Sequence, residues 1–265
     1  MKLKNHTRTY FEKNPIEEVI AQIRFPRNME IESGLPVSFQ KNISKDFPLM
    51  EIQESHSVSF KVGKSPNLDK VVREKSPPIF NFMTPSRDLR VSLACDFVAL
   101  TCNNYDSWEQ FYPKLEEIFT KLLAIYDIPL VTRVGLRYRN LISKEDLDLV
   151  GVHWSELINP SIIGHLATSE LIDGTFDESA VLAANSVTQM KFEDFSLTLQ
   201  TGLADKTTKK CFYIDADHYN ELSCKSSEFN LKETIEVLHD KSSSVFRACI
   251  RERLYEALVP IKKED

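Results

Sequence analysis

Three arginines near the middle of the chain have the residue type and the spacing to bind an anion. Arg133, Arg137 and Arg139 alternate with other residues in the segment 130–142, and side chains two residues apart lie on the same face of a β-strand. A guanidinium group binds carboxylate or phosphate oxygens through two parallel N–H donors. Arg24, in a predicted strand near the start of the chain, extends this row. We call the four side chains the arginine cluster and predict that it binds a ligand or a partner.

A second segment, YIDADH, offers the opposite charge. It places Asp215 and Asp217 on one face of a predicted strand together with Tyr213, and His218 on the other face if the strand continues. Carboxylates on a neighbouring strand often pair with arginines, and such pairs on an exposed sheet contribute little to stability. The sequence therefore leaves two interpretations open. The arginine cluster either pairs internally with these carboxylates, or it binds an external group together with them.

No complete set of catalytic or metal-binding residues is recognisable. Asp215 and Asp217 could hold a hard cation or divide the roles of acid and base, but no clear second acidic cluster accompanies them, and we predict neither a metal nor a cofactor. No serine lies in a Gly-x-Ser-x-Gly motif, and Cys211 and Cys224 have no locally recognisable histidine partner. His239 is a lone histidine in a predicted helix, where a packing role is the simpler interpretation. The protein is therefore more simply interpreted as a binding protein than as an enzyme.

The composition excludes several classes of function. The chain has 265 residues, 42% of them hydrophobic, and a net charge of −6. It contains only 7 glycines, where average usage would give roughly nineteen. Dinucleotide-binding folds and phosphate loops need closely spaced glycines, and the nearest two here are Gly164 and Gly174. A pI near 5.6 also argues against a general nucleic-acid binder.

The cysteines and the N-terminus predict the compartment. Five cysteines are irregularly spaced without a Cys-x-x-Cys pair, which does not fit a disulfide framework or a zinc ribbon. The N-terminal residues MKLKNHTRTYFEKNP contain no apolar run, and no stretch approaches eighteen apolar residues. We predict a cytoplasmic protein without a membrane partner.

Apolar periodicity predicts two halves with the same order of elements. The N-terminal half has strands at 18–25, 57–62, 78–84, 89–95 and 97–103, a helix at 35–47, and a long helix from Ser107 to Tyr126; the C-terminal half has strands at 130–142, 180–192, 195–201 and 210–217, and helices at 154–166 and 230–258. A charged, proline-containing segment at 64–78 is predicted to be a loop. We therefore predict an α+β fold with pseudo-repeated halves, 1–129 and 130–265. Each half reads strand, helix, three or four antiparallel strands and long helix, and together they form a curved sheet backed by helices. This order resembles the saddle of the TATA-binding-protein-like fold.

Several strings resemble a sporadically distributed family of uncharacterised prokaryotic proteins of about this length. They are FEKNPIEEVIAQIRF, DFVALTCNNYDSWEQF, RVGLRYRNLI, YIDADHYNE and VLHDKSSSVF. The resemblance follows nearly the whole chain, and RVGLRYRN is its most specific string. It implies an accessory gene of mobile elements, including defence and toxin–antitoxin neighbourhoods, and it implies no residue role.

These observations predict a non-catalytic binding or adaptor protein. Its arginine cluster, on the sheet face away from the helices, would hold an acidic protein partner or a charged small ligand. The alternative is an enzyme or sensor for a phosphorylated or nucleotide ligand, in which the same arginines hold phosphate and Asp215, Asp217 or His218 assist. Binding of nucleic acid is a third, weaker hypothesis.

Overall fold

One antiparallel sheet organises the described part of the chain. The structure, a computed structural model, describes residues 3, 6, 8–54, 56–60, 71–75, 77–167 and 177–261. The strands are β1 (Tyr10–Phe11), β2 (Ile16–Arg24), β3 (Leu49–Gln53), β4 (His56–Phe60), β5 (Val71–Lys75), β6 (Ile79–Met83), β7 (Leu89–Ala94), β8 (Phe97–Cys102), β9 (Leu130–Ser143), β10 (Asn185–Lys191), β11 (Ser196–Lys206), β12 (Lys209–Lys225) and β13 (Pro260–Ile261). The α-helices are α1 (Met29–Ser33), α2 (Val37–Ile43), α3 (Trp108–Ile125), α4 (Trp154–Leu157), α5 (Pro160–Ile163), α6 (Leu231–Cys249) and α7 (Glu252–Ala257).

Nine strands form the main sheet in the order β10-β11-β12-β9-β2-β8-β7-β6-β3, and every neighbouring pair is antiparallel. The first main-sheet strand of the C-terminal half, β9, pairs with the first main-sheet strand of the N-terminal half, β2, with Ala21 opposite Leu136. Two short pairs, β1 with β13 and β4 with β5, lie outside this sheet. The centre of the sheet is therefore built by both halves.

Strand alternation decides which face the helices cover. In β2, Val19, Ala21 and Ile23 are fully buried, whereas the residues between them are only half-buried. The apolar stripe of α3, which includes Leu115 and Leu122, is buried in the same core, and burial of apolar surface is what holds helices against a sheet. Helix α6 packs on β9 and β12. The prediction of an α+β fold with an antiparallel sheet backed by helices is confirmed.

Two predicted helices are interrupted. The helix expected at 154–166 divides into α4 and α5 because Pro160 lacks an N–H group and begins α5 at its N-terminus. Its first turn is capped by the His153 side chain and not by Ser155. The long final helix ends at Cys249, because Ile250 turns into an extended conformation and forms a β-bridge with Ile158.

The bounds of the other helices and strands differ less from the predicted ones, and some elements were not predicted. Strand β12 continues to Lys225, well beyond the expected end at residue 217, because it keeps its partner β9 over almost the whole length. The strands β1, β3 and β13 and the helix α1 were not predicted. Residues 71–75 form β5, so the prediction of a loop over 64–78 is wrong there; residues 61–70 and 76 lie outside the described residues.

The longest described helices, α3 and α6, carry too many polar residues for either to reach across a bilayer, and the shorter helices of the described ranges do not qualify.

Candidate functional site

The arginine cluster lies at the centre of the sheet, on the face away from α6. Arg133, Arg137 and Arg139 project from β9 between the buried residues Val134, Leu136 and Tyr138. Arg24, at the end of β2, is the register partner of Arg133. On the other side of β9, Arg137 and Arg139 lie opposite Asp217 and Asp215 of β12. The structure thus brings all six predicted site residues onto three adjacent strands.

Arg137 forms the strongest contact of the cluster, and it reaches diagonally past Asp217. Its Nε atom donates to Asp215 Oδ1 at 2.6 Å, and its Nη2 atom donates to Asp215 Oδ2. The Asp215 side chain is only 7% exposed, so the carboxylate depends on this two-point contact for its charge compensation. The same hydrogen bonds raise the pKa of the Arg137 guanidinium.

Arg133 also reaches diagonally, to Asp217. Its Nη2 atom donates to Asp217 Oδ2 at 2.7 Å, its Nη1 atom donates to Gln22 Oε1 at 3.2 Å, and the guanidinium lies over the Tyr219 ring at 4.4 Å. Burial raises the pKa of the Asp217 carboxyl, and the positive charge of Arg133 opposes that effect without cancelling it.

Gly135 makes room for this arrangement. A β-carbon on Gly135 would lie 2.7 Å from Arg133 Nη1, so the guanidinium occupies the space that a side chain would take. The strand register continues regularly through Gly135. The glycine therefore marks a close approach of a side chain and not a bulge.

The two outer members of the cluster have weaker or separate partners. Arg24 pairs with Asp96, in the turn between β7 and β8. Arg139 has its Nε atom 3.8 Å from Glu17, beyond hydrogen-bond distance, and its side chain is 41% exposed. Within the described residues, no hydrogen bond of the Arg139 guanidinium is found. The face is therefore mixed in charge, with internal pairing strongest at Arg133 and Arg137.

A second candidate site lies on the opposite face of the sheet and was not predicted. It is a partly open cavity of about 130 Å³ between the sheet, α6 and the N-terminal segment. Its lining residues are Arg8, Thr9, Tyr10, Phe11, Asn14, Pro15, Ile16, Tyr105, Asp106, Tyr138, Asn140, Ile214, Ala216, His218, His239, Ser242, Ser243, Phe246, Arg247 and Tyr255. We call it the interior cavity.

Two buried histidines are among the residues that line the interior cavity. His218 of β12 is 1% exposed, and its Nδ1 atom lies 3.2 Å from the carbonyl oxygen of Leu136. His239 of α6 is 6% exposed, and its Nδ1 atom lies 2.7 Å from the hydroxyl of Tyr138. The Trp108 ring stacks on His239 with ring centroids 3.9 Å apart. In both histidines the Nε2 atom has no hydrogen-bond partner among the described residues.

Burial keeps the two histidines, and the tyrosines Tyr138 and Tyr105 beside them, neutral. It lowers the pKa of His218 to about 4 and that of His239 to about 2, and the nearby charge of Arg8 lowers the latter further. Burial also raises the pKa of Tyr138 well above its usual value and that of Tyr105 to about 12. At neutral pH both histidines and both tyrosines are therefore uncharged, beside the charged side chain of Arg8.

One sequence signal could have revealed this site. His239 and Ser242 lie on the buried face of α6 together with Leu238 and Val245, and polar residues in an apolar stripe must find partners when they are buried. The same holds for Asn140 of β9, which is 4% exposed. The expected packing role of His239 is consistent with its stacking on Trp108, but apolar periodicity alone does not reveal the polar residues on the buried face of α6.

The described residues contain no group of three or more histidine, cysteine, aspartate or glutamate side chains that could hold a metal ion. No family model matches the chain, and no curated protein shows significant similarity to it.

Proposed function

We propose that this protein is a non-catalytic binding protein whose sheet face around Arg137 and Arg139 holds an acidic segment of a partner protein. The observation that carries the proposal is the state of Arg139, which is 41% exposed and forms a 3.8 Å ion pair with Glu17 but no hydrogen bond within the described residues. Its guanidinium donors are therefore available to a carboxylate from outside.

Arg137 supports Arg139 in this role. Asp215 takes its Nε and Nη2 donors and so fixes the orientation of the guanidinium, which leaves the Nη1 atom without a hydrogen bond within the described ranges. Residues two apart on a strand are about 7 Å apart, so the two arginines offer donors at a defined spacing. Donors that are already ordered lose little entropy when a partner binds.

The shape of the surface favours a protein over a small ligand. Sites for small molecules are concave and enclose most of the ligand, whereas the arginine cluster lies on the surface of a sheet and contributes no side chain to the interior cavity. The carboxylates of Asp217 and Glu18 flank the two arginines on the same face. A partner must match both signs of charge, which gives specificity more than affinity.

The proposal extends to the architecture. Within the main sheet, the first strand of each half pairs with the last main-sheet strand of that half, β2 with β8 and β9 with β12, and the halves meet at β2 and β9. This order supports two pseudo-repeats, 1–129 and 130–265, in a TATA-binding-protein-like saddle. The resemblance of the sequence strings to sporadically distributed prokaryotic proteins favours a cytoplasmic accessory system, such as a defence or toxin–antitoxin system, as the setting.

The test is an affinity purification from the native cells with three forms of the protein. Arg139→Glu reverses the charge of the available arginine, and Arg87→Glu makes the same change at an exposed arginine that pairs with Glu51. We expect wild type and Arg87→Glu to retain the same acidic partner and Arg139→Glu to lose it, because like charges then face each other. Arg137 is left intact because Asp215 depends on it.

An identical set of captured proteins for all three forms would refute the proposal. A rise in melting temperature with nucleotides, lost in Arg139→Glu, would instead support the alternative of a phosphorylated or nucleotide ligand, because a ligand stabilises the state that it binds. A mobility shift of DNA or RNA at physiological salt would favour the nucleic-acid hypothesis.

A further inference from the structure

We propose that β10, at one edge of the main sheet, is a dimerisation strand that pairs antiparallel with β10 of a second copy of this chain, about a two-fold axis at Thr188. This inference is independent of the proposed function, because β10 carries no residue of the arginine cluster.

One edge of β10 is bare. The strand pairs with β11 along its whole length, and no other strand of the described ranges pairs with it. Six of its seven residues are exposed, and because side chains alternate between the faces of a strand, both of its faces are accessible. A strand at the edge of a sheet presents N–H and C=O groups that can pair with a strand of another chain.

Two hydrogen bonds define which backbone groups of β10 point outward. The N–H group of Phe192 donates to the carbonyl oxygen of Phe195 at 2.8 Å, and the N–H group of Leu203 donates to that of Ala184 at 2.9 Å. Hydrogen-bonded pairs alternate along an antiparallel ladder, and the register between β10 and β11 has no shift. The even-numbered residues of β10 therefore bond to β11. The outward N–H and C=O groups are those of Asn185, Val187, Gln189 and Lys191.

The strand lacks the features that usually protect an exposed edge, which are charges, prolines and bulges. From residue 185 to 190 its sequence, NSVTQM, contains no charge and no proline. The opposite edge strand, β3, is shorter and carries Glu51 at its centre, where it pairs with Arg87. Of the two edges of the main sheet, β10 is therefore the one open to pairing.

The sequence of β10 is complementary to itself. Outward groups of one copy must meet outward groups of the other, and the register that uses all seven residues places Thr188 opposite Thr188. Asn185 then lies opposite Lys191, and Val187 opposite Gln189. Opposed threonines form a favourable cross-strand pair, and like charges directly opposite each other would be unfavourable. In this register Lys191 faces an amide side chain and not a second lysine.

This pattern favours a second copy over an acidic segment of another protein. An acidic strand would find a single positive charge on β10, at its last residue. A second copy satisfies every outward backbone group of the strand without bringing two charges together.

The test is the mass of the full chain in solution, measured by sedimentation velocity. The concentration runs from about 1 to 500 μM, because so small an interface should give a dissociation constant of about 10–100 μM. We expect the mass of wild type to rise with concentration from the 30.5 kDa of one chain towards twice that value.

Substitutions at the two-fold axis test the register. Thr188→Lys and Thr188→Glu each place like charges opposite each other, so each variant alone should dimerise roughly tenfold more weakly or worse. An equimolar mixture of the two should restore the dimer, because a lysine then faces a glutamate. The matched control is Gln53→Lys, which adds the same charge to the exposed edge strand β3 and should dimerise like wild type.

Several results would overturn the inference. They are a wild type that stays monomeric over the whole range, a dimer that both Thr188 variants retain, a mixture that fails to dimerise, or loss of the dimer in Gln53→Lys. If the Thr188 variants do not fold, Val187→Pro serves instead. Its lost N–H group points away from β11, so the hairpin should remain and only the dimer should be lost; a dimer that survives this change would count against the strand.

Discussion

Arg133 lies over Gly135, with its Nη1 atom 2.7 Å from the position that a β-carbon would occupy. The end of a flexible side chain can move away, whereas backbone cannot. At Gly202 of β11, a β-carbon would lie 2.0 Å from the carbonyl oxygen of Ala184. The two glycines therefore serve the sheet in different ways, one by admitting a guanidinium and the other by admitting a neighbouring chain segment.

This difference predicts unequal effects of alanine. Gly135→Ala should change the free energy of unfolding by less than about 1 kcal/mol, because the gain in strand propensity offsets the displacement of Arg133. Gly202→Ala should cost about 2–3 kcal/mol, because backbone atoms must shift. Urea denaturation of both variants checks this. Equal losses of unfolding free energy in the two variants would show that Arg133 is held too rigidly to move.

Removal of Arg137 should destabilise the fold more than removal of Arg24. Arg137→Met leaves the buried Asp215 carboxylate without its two donors, and we expect a loss of about 2–3 kcal/mol. Arg24→Met frees Asp96, which is 35% exposed and can be hydrated, so the loss should stay below about 1 kcal/mol. Chemical denaturation measures both. A further Asp215→Asn change should recover part of the stability, and failure to do so would contradict the ion-pair explanation.

The buried histidines predict a loss of stability in acid. The pKa of His218 is about 4 in the folded protein, against about 6.5 in an unfolded chain. Between these values the unfolded state binds more protons, so stability falls as the pH is lowered from 6.5 towards 4. His239, with a pKa of about 2, acts in the same direction.

Denaturation of wild type and His218→Leu at pH 7 and pH 4.5 isolates the contribution of His218. The loss of stability between the two pH values should be smaller in the variant, by about 2–3 kcal/mol. Equal losses in both proteins would show that His218 reaches solvent when it takes up a proton.

The five thiols should differ sharply in reactivity. Cys95, Cys102, Cys211 and Cys249 are buried, and burial raises the pKa of each, to about 12 for Cys249. Cys224 is partly exposed. A disulfide reagent at pH 8 should therefore modify one thiol quickly in the native protein and the other four only on unfolding, because the thiolate is the reactive form. Cys224→Ser should abolish the fast phase; a fast phase that survives would mean that another thiol opens to solvent.

The sequence predicted most of the sheet because period-two burial is a local signal. The alternation in β2 and β9 and the stripe of α3 can be read from side-chain order alone. The helix breaks at Pro160 and Ile250 were not predicted, because the apolar stripe continues across them. The break at Ile250 also depends on its β-bridge with Ile158, which is distant in the sequence. The short strands β1 and β13 have too few residues for a periodic signal.

The two candidate sites also differ in how far a local sequence signal could predict them. The spacing of the arginines predicted their shared face, and Asp215 and Asp217 were named as partners, but the diagonal pairing depends on the register between β9 and β12. The interior cavity could not be predicted, because it forms only where β12, α6 and the N-terminal segment meet. Neither of its two histidines has neighbours in the sequence that distinguish it from a packing residue.

The strand order also bears on how the chain folds. In the main sheet, β2 cannot complete its pairing until β8 is in place, and β9 cannot until β12 is, so both strands depend on segments far along the sequence. Contacts between distant segments slow folding, since loops must close before any pairing compensates for the lost entropy. The middle of the sheet, where both halves meet and the arginines lie, is then completed late, and refolding should be slow for a chain of this size.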